Sequence, residues 1–168
     1  MKIEYDDKHF TEEELENTPK RRQRYAEELR TRREFEFKTF DSEGYDQLII
    51  LKDIDFSSEC SHHLLPFIGK VHIGYIPDKK ICGLSKLARI TDAMAARPQI
   101  QERLTHNILD ELIDKLTPIG AMVVIEARHD CMCIRGVKKL NSVMITSAIY
   151  GAFKKPEVRS EFLKLIRG

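Results

Sequence analysis

Apolar positions are sparse along the first thirty or so residues and dense after them. Before about Phe35 the chain is crowded with Glu, Arg and Lys, and it carries helix signals. Thr11 with Glu14 has the form of a capping box, and Thr18-Pro19 that of a second N-cap with proline at the first helical position. One or two helices are therefore expected to run to about Arg33, their arginines forming a solvated face. From Asp46 to Phe56 the run Leu48, Ile49, Ile50, Leu51, Ile54 predicts a strand, and Phe67 to Ile76 a second one, stopped by the turn Pro77-Asp78-Lys79-Lys80. Gly83-Leu84-Ser85 opens a helix to about Arg97. Pro98 restarts one whose apolar positions Ile100, Leu104, Ile108, Leu112 and Leu116 recur at helical spacing, until Pro118 and Gly120 end it. Ala121 to Arg128 reads as a buried strand, Val143 to Ile149 as its partner, and Val158 to Ile166 as a closing amphipathic helix.

The predicted order is α, ββ, αα, ββ, α. Hairpins separated by a helix pair imply an α+β fold, an antiparallel sheet with helices packed on one face, preceded by an N-terminal helical segment. The shift in composition divides a single unit into that segment, residues 1–34, and an α+β domain over 35–168. Pairing order does not follow from the pattern.

Composition narrows the class. Within 168 residues, 28 Lys+Arg stand against 27 Asp+Glu, a formal net charge of +1, so the overall positive field of a general nucleic-acid binder is missing and any anion must meet a local cluster. No apolar run approaches the ~18 residues that span a bilayer, and Met1 to Asp7 is charged where a signal peptide needs an apolar core, so no membrane association and a cytoplasmic location are expected. In a reducing compartment the four cysteines, Cys60, Cys82, Cys131 and Cys133, are thiols or metal ligands.

Two clusters make the metal reading concrete. Cys60-Ser61-His62-His63 sets a thiol and an imidazole three residues apart, a separation that one turn of chain brings to one ion. His129-Asp130-Cys131-Met132-Cys133 follows a predicted strand, whose alternation puts His129, Cys131 and Cys133 on one face. Cys60, His63 and either Cys131 or Cys133 would hold a catalytic zinc with one open position, leaving His62 and His129 for proton exchange near neutral pH. A closed structural site using both cysteines fits the same spacing.

Lys86 and Arg89 lie one turn apart near the start of the helix opened by Ser85, where free backbone N–H groups favour an anion, and with Arg135 they suggest a phosphate site; a solvated basic pair is the alternative. Gln101 and Glu102 occupy the first turn of the next helix. A carboxylate there suits the helix dipole, and it could also accept hydrogen bonds from N1–H and the N2 amino group of guanine, an edge that adenine does not offer.

Taken together and in this order, these segments resemble the GTP cyclohydrolase I family. The likeness runs from about Thr18-Pro19-Lys20-Arg21 to the C-terminus, through Cys60 to Phe67, Gly83 to Arg89, Gln99 to Thr105, His129 to Met132 with Arg135-Gly136, and Arg159 to Phe162. The resemblance implies a zinc held by Cys60, His63 and Cys131, with Cys133 outside the ligand set. It also implies acid–base roles for His62 and His129, a guanine held by Glu102, Gln101 and Ser85 near the nucleoside, and a triphosphate bound by Lys86, Arg89 and Arg135. The implied fold is the tunnelling fold, assembled as a homo-oligomer, usually a decamer, with sites at subunit interfaces. The implied reaction converts GTP and water to formate and 7,8-dihydroneopterin triphosphate. A non-catalytic zinc- and nucleotide-binding assembly protein, or a tunnelling-fold enzyme acting on another purine or pterin, would share most of these motifs. The chain departs from the family pattern at Ser61, usually Glu, at Met144, usually Thr, and at Ala96 before Arg97. Ser61 bears most on the site, because it lies between two proposed ligands.

Overall fold

In the computed structural model, residues 10–31 and 34–168 are described; Met1 to Asp7 and the expected helix end at Arg33 lie outside them. The N-terminal segment is one helix, α1 (Glu12–Arg30), opened by the expected capping box: Thr11 Oγ1 receives the Glu14 N–H, and the Glu14 carboxylate receives the Thr11 N–H. No second N-cap forms at Thr18. Its hydroxyl donates back to the Glu14 carbonyl, and Pro19 is carried inside the helix. The carbonyl that proline leaves without a donor lies on a helix with no buried residue, where it is open to solvent.

The strands follow as β1 (Thr39–Asp41), β2 (Ile49–Cys60), β3 (Pro66–Ile76) and β4 (Lys80–Cys82); β1 and β4, too short to be foreseen, pair antiparallel with each other. Next come α2 (Leu84–Ala95), β5 (Pro98–Gln99), α3 (Gln101–Leu116), β6 (Gly120–His129), a single helical turn α4 (Asp130–Cys133), β7 (Met144–Gly151) and α5 (Pro156–Arg167). The main sheet has the order β5-β2-β3-β6-β7, antiparallel except for the short parallel pair β5–β2.

Alternation along β6 divides the packing. Ala121, Val123, Ile125 and Ala127 join the core under α2 and α3, with Leu87, Ile90, Leu104, Ile108 and Leu112 from those helices. Met122 and Val124 point the other way and meet Phe153 and Phe162. The expected helical layer on one face is thus α2 with α3, whereas α5 covers one end of the opposite face. Gly74 permits this: a Cβ there would stand 2.6 Å from the Phe162 ring. Burying a phenylalanine side chain of this kind contributes about 1.5–3 kcal/mol.

Pro98 was expected to begin a helix. It instead lies in β5 opposite Glu59, and α3 starts only at Gln101, with Ile100 as its N-cap residue. An edge strand tolerates the missing N–H of proline. Delaying the helix in this way brings Gln99, Gln101 and Glu102 alongside Cys60.

Candidate active site

The end of β2 shapes one half of the site. The Cys60 carbonyl accepts the N–H groups of His63 (3.3 Å) and Leu64 (2.8 Å), and the Cys60 N–H donates to the Leu65 carbonyl at 2.8 Å. Leu64 takes a positive φ of 52°, a conformation uncommon for a leucine, to close this turn. His63 is thereby folded back over Cys60, Nδ1 3.8 Å from Sγ. The half-buried Ser61 is held by its own N–H, which donates to the Gln99 carbonyl at 2.9 Å.

The end of β6 shapes the other half, and here the expected alternation fails. The strand stops at His129, and Asp130–Cys133 is a turn of helix with the Ile134 N–H bonded to the Asp130 carbonyl at 3.0 Å. Residues two apart on a helix diverge by about 200°, rather than sharing a face as on a strand. Cys131 therefore points toward Cys60, the two Sγ atoms 3.9 Å apart. Cys133 turns inward, 3% exposed, and its thiol donates to the carbonyls of Lys139 (3.4 Å) and Leu140 (3.7 Å).

The ligand atoms of Cys60, His63 and Cys131 all lie within 4.8 Å of one another, and among the described residues no other such metal-ligating group occurs. Two thiolates each about 2.3 Å from a tetrahedral ion stand about 3.8 Å apart, and a thiolate and an imidazole nitrogen about 3.6 Å. The observed 3.9 and 3.8 Å match that geometry. Burial, then the neighbouring Cys60, raises the Cys131 thiol above its ordinary pKa, while the nearby Arg135 charge acts in the opposite direction. A cation in this position would displace the thiol proton.

Beside the triad is a cleft of 190 Å³ lined by His62, Gln99, Ile100, Gln101, Glu102, His129 and Met144 as well as the three residues of the triad. His129 stacks on Phe67 with the rings nearly parallel and 4.6 Å between centroids. Burial lowers its pKa, and the Glu102 charge partly opposes the shift. Gln101, 1% exposed, holds it from the other side: Gln101 Oε1 is 2.8 Å from His129 Nε2. The Gln101 amide nitrogen donates to the carbonyls of Ile125 (3.1 Å) and Met144 (3.0 Å) and to Thr146 Oγ1 (3.1 Å). A flipped amide would set its oxygen against two carbonyl oxygens, so the orientation is determined by the network. With Oε1 facing it, His129 Nε2 must carry a proton, and Nδ1 is the nitrogen left for exchange.

A family model described as GTP cyclohydrolase I matches residues 2–167. The chain belongs to the GTP cyclohydrolase I family. Among its relatives named GTP cyclohydrolase 1, that of Aquifex aeolicus is 53% identical over 158 residues, covering 93% of this chain and 86% of the relative. That of Wolinella succinogenes is 48% identical over 168 residues, covering 96% and 89%. The human relative is 53% identical over 126 residues, covering 74% of this chain and 50% of the human one. The solved structure titled as the archaeosine synthase QueF-Like in the apo form superposes with a TM-score of 0.53 at 17% identity, over 62% of this chain and 94% of that one, which shows the tunnelling fold.

In this GTP cyclohydrolase I family chain the residues anticipated from sequence fall into two groups. Cys60, His63, Cys131, His62, His129, Gln101 and Glu102 converge on one cleft. Ser85, Lys86 and Arg89, on the first turns of α2, do not line it. Lys86 Nζ donates to the Glu36 carbonyl at 2.7 Å, and Arg89 borders a separate recess with Glu34, Phe35 and Asp92. Arg135 is exposed just beyond α4. Sequence reasoning missed Phe67 and Thr146, which set His129 directly and through Gln101. Their only signal was position, opposite His129 in the sheet register and beside the cleft on β7. Among the described residues no helix is long and apolar enough to cross a membrane.

Proposed function

We propose that the chain is a zinc-dependent GTP cyclohydrolase that opens the guanine imidazole ring at C8, releases formate and yields 7,8-dihydroneopterin triphosphate. The observation that carries this reading is the Cys60–His63–Cys131 triad beside a cleft that also holds two imidazoles and an exposed carboxylate. Zinc bound there would supply Lewis acidity and a water whose pKa falls to about 7. Glu102 receives N1–H and the N2 amino group of the base. His62 and His129 exchange protons with the ring nitrogens as charge develops, His129 through Nδ1, because Gln101 occupies its other nitrogen. Lys86, Arg89, Arg135 and Ser85 serve the triphosphate and nucleoside.

A cleft of 190 Å³ is small for a nucleoside triphosphate, since ligand pockets run to about 300–1,000 Å³. Lys86 and Arg89 also lie outside it. Both facts support a site completed by a neighbouring copy in a homo-oligomer, near ten subunits by family resemblance. Among the described residues the sheet leaves β7 as an edge strand and most of the outer side of β2 without a strand partner, and pairing between copies would cover both.

The test is direct. Zinc-loaded protein incubated with GTP should release formate and, after oxidation, a fluorescent pterin in equal amounts. Nucleotide binding without formate would instead support the non-catalytic assembly protein.

A further inference from the structure

Helix α1 has no buried residue, yet its last turn holds a buried charge. Arg30 donates from Nε (3.1 Å) and Nη2 (2.8 Å) to Glu59 Oε2, and Glu59 is 3% exposed. A buried carboxylate is costly unless paired, so this contact is a strong constraint on both elements. Glu59 immediately precedes the ligand Cys60. Its strand partners are Pro66 on one side and Pro98 on the other, the first residues of β3 and β5. Strands β3 and β5 thus both begin beside Glu59, one residue before Cys60, where the side-chain contact to α1 is made. Five residues earlier on α1, Tyr25 lies within the fields of both Glu59 and Asp130. Asp130 immediately precedes Cys131, the other thiol ligand, and is itself held by Arg128 at 3.2 Å.

We propose that α1 is a brace for the metal centre: Arg30, acting through Glu59, is a positioning residue that holds the β2 terminus in register with the segment bearing Cys131. This inference rests on the metal reading of the triad. Arg30 is not among the residues that line the cleft beside the triad. It acts by preventing the Cys60 segment from moving relative to Cys131, whose Sγ is 3.9 Å away.

The test is titration of the full chain with Co2+, whose visible bands report thiolate coordination, against a competing chelator, with circular dichroism following the fold. Arg30→Met should raise the apparent Co2+ dissociation constant about 10- to 100-fold, the usual effect of losing an outer contact to a metal site, and shift the visible bands. Arg30→Lys, still able to donate to Glu59, should lose less. A folded Arg30→Met protein with unchanged Co2+ affinity and bands overturns the brace, even if it melts at lower temperature. Should Arg30→Met fail to fold, Arg30→Lys and Glu59→Gln decide in the same titration, with wild-type affinity and bands in both again overturning it. If the wild-type chain itself shows no thiolate–Co2+ bands, the metal reading fails first, and that result is distinct from failure of the brace.

Discussion

Replacing Gln101 by leucine separates a positioning role from a structural one. The change removes the acceptor facing His129 Nε2 and the amide donor shared by Ile125, Met144 and Thr146. At roughly 1 kcal/mol net for each neutral hydrogen bond, four lost bonds set an upper figure of about 4 kcal/mol. Two of the acceptors are carbonyls in strands β6 and β7, and Thr146 Oγ1 keeps its 2.7 Å contact with Thr105 Oγ1. The apolar leucine also returns about 1.5 kcal/mol on burial. A net loss of about 2 kcal/mol is expected, which lowers the melting temperature by about 4–8 °C for a domain of this size. The catalytic effect should be larger. A freed imidazole loses both its tautomer and its direction, and misplacement of a reacting group costs on the order of 100-fold. That loss should fall on kcat with KM for GTP little changed, because the role proposed for His129 is in the chemical steps. Nitrogen-15 spectroscopy of histidine-labelled protein would show the Nε2–H form of His129 in wild type and a mixture in the variant. Thr146→Val removes only one of the three acceptors, so it should cost about 1 kcal/mol and leave the tautomer alone. Formate release at the wild-type rate from folded Gln101→Leu, with the Nε2–H form intact, would refute the reasoning.

Cys131→Ser should lose metal and turnover, whereas Cys133→Ser, altering a thiol turned inward to the Lys139 and Leu140 carbonyls, should keep both; metal analysis showing loss in Cys133→Ser contradicts the open three-ligand site. Glu102→Ala should weaken GTP binding by roughly 1.5–3 kcal/mol, the range for a hydrogen bond to a charged group, without affecting metal content, and calorimetry with unchanged GTP affinity would reduce Glu102 to a helix-start carboxylate. His72 is buried, and its Nδ1 accepts the Asp53 N–H at 3.2 Å. Burial lowers its pKa from the ordinary 6.5, with Glu126 and Asp53 opposing the shift and Lys70 and Lys52 adding to it. The unfolded chain therefore takes up this proton first, so the contribution of His72 is complete above pH 6.5 and is lost as pH falls below it. Urea titrations from pH 7 to 5 should show a shallower decline in His72→Gln, and an identical decline would exclude His72 as a source.

The element types, the capping box at Thr11 and the convergence of Cys60 and His63 were legible from the sequence because each rests on local rules: apolar period, cap chemistry and three-residue spacing. The likeness to a family also singled out Cys131 over Cys133, a choice that local spacing left open. The tertiary structure supplied the physical reason, since β6 ends at His129 and the following turn of helix sends the two thiols in opposite directions. The same dependence on long-range packing explains why Pro98 joins an edge strand rather than a helix, and why α5 crosses to the other face of the sheet at Gly74. It also explains the couplings that no spacing encodes. Gln101 meets His129 across 28 positions, and Arg30 meets Glu59 across 29. Such pairs are joined only when the sheet register and the helix that packs on it exist together, since each side chain alone is a polar residue with no indicated partner. The sequence determined which chemical groups the chain carries, and the fold decided that Nε2 of His129 faces Gln101 while Nδ1 is left free of it.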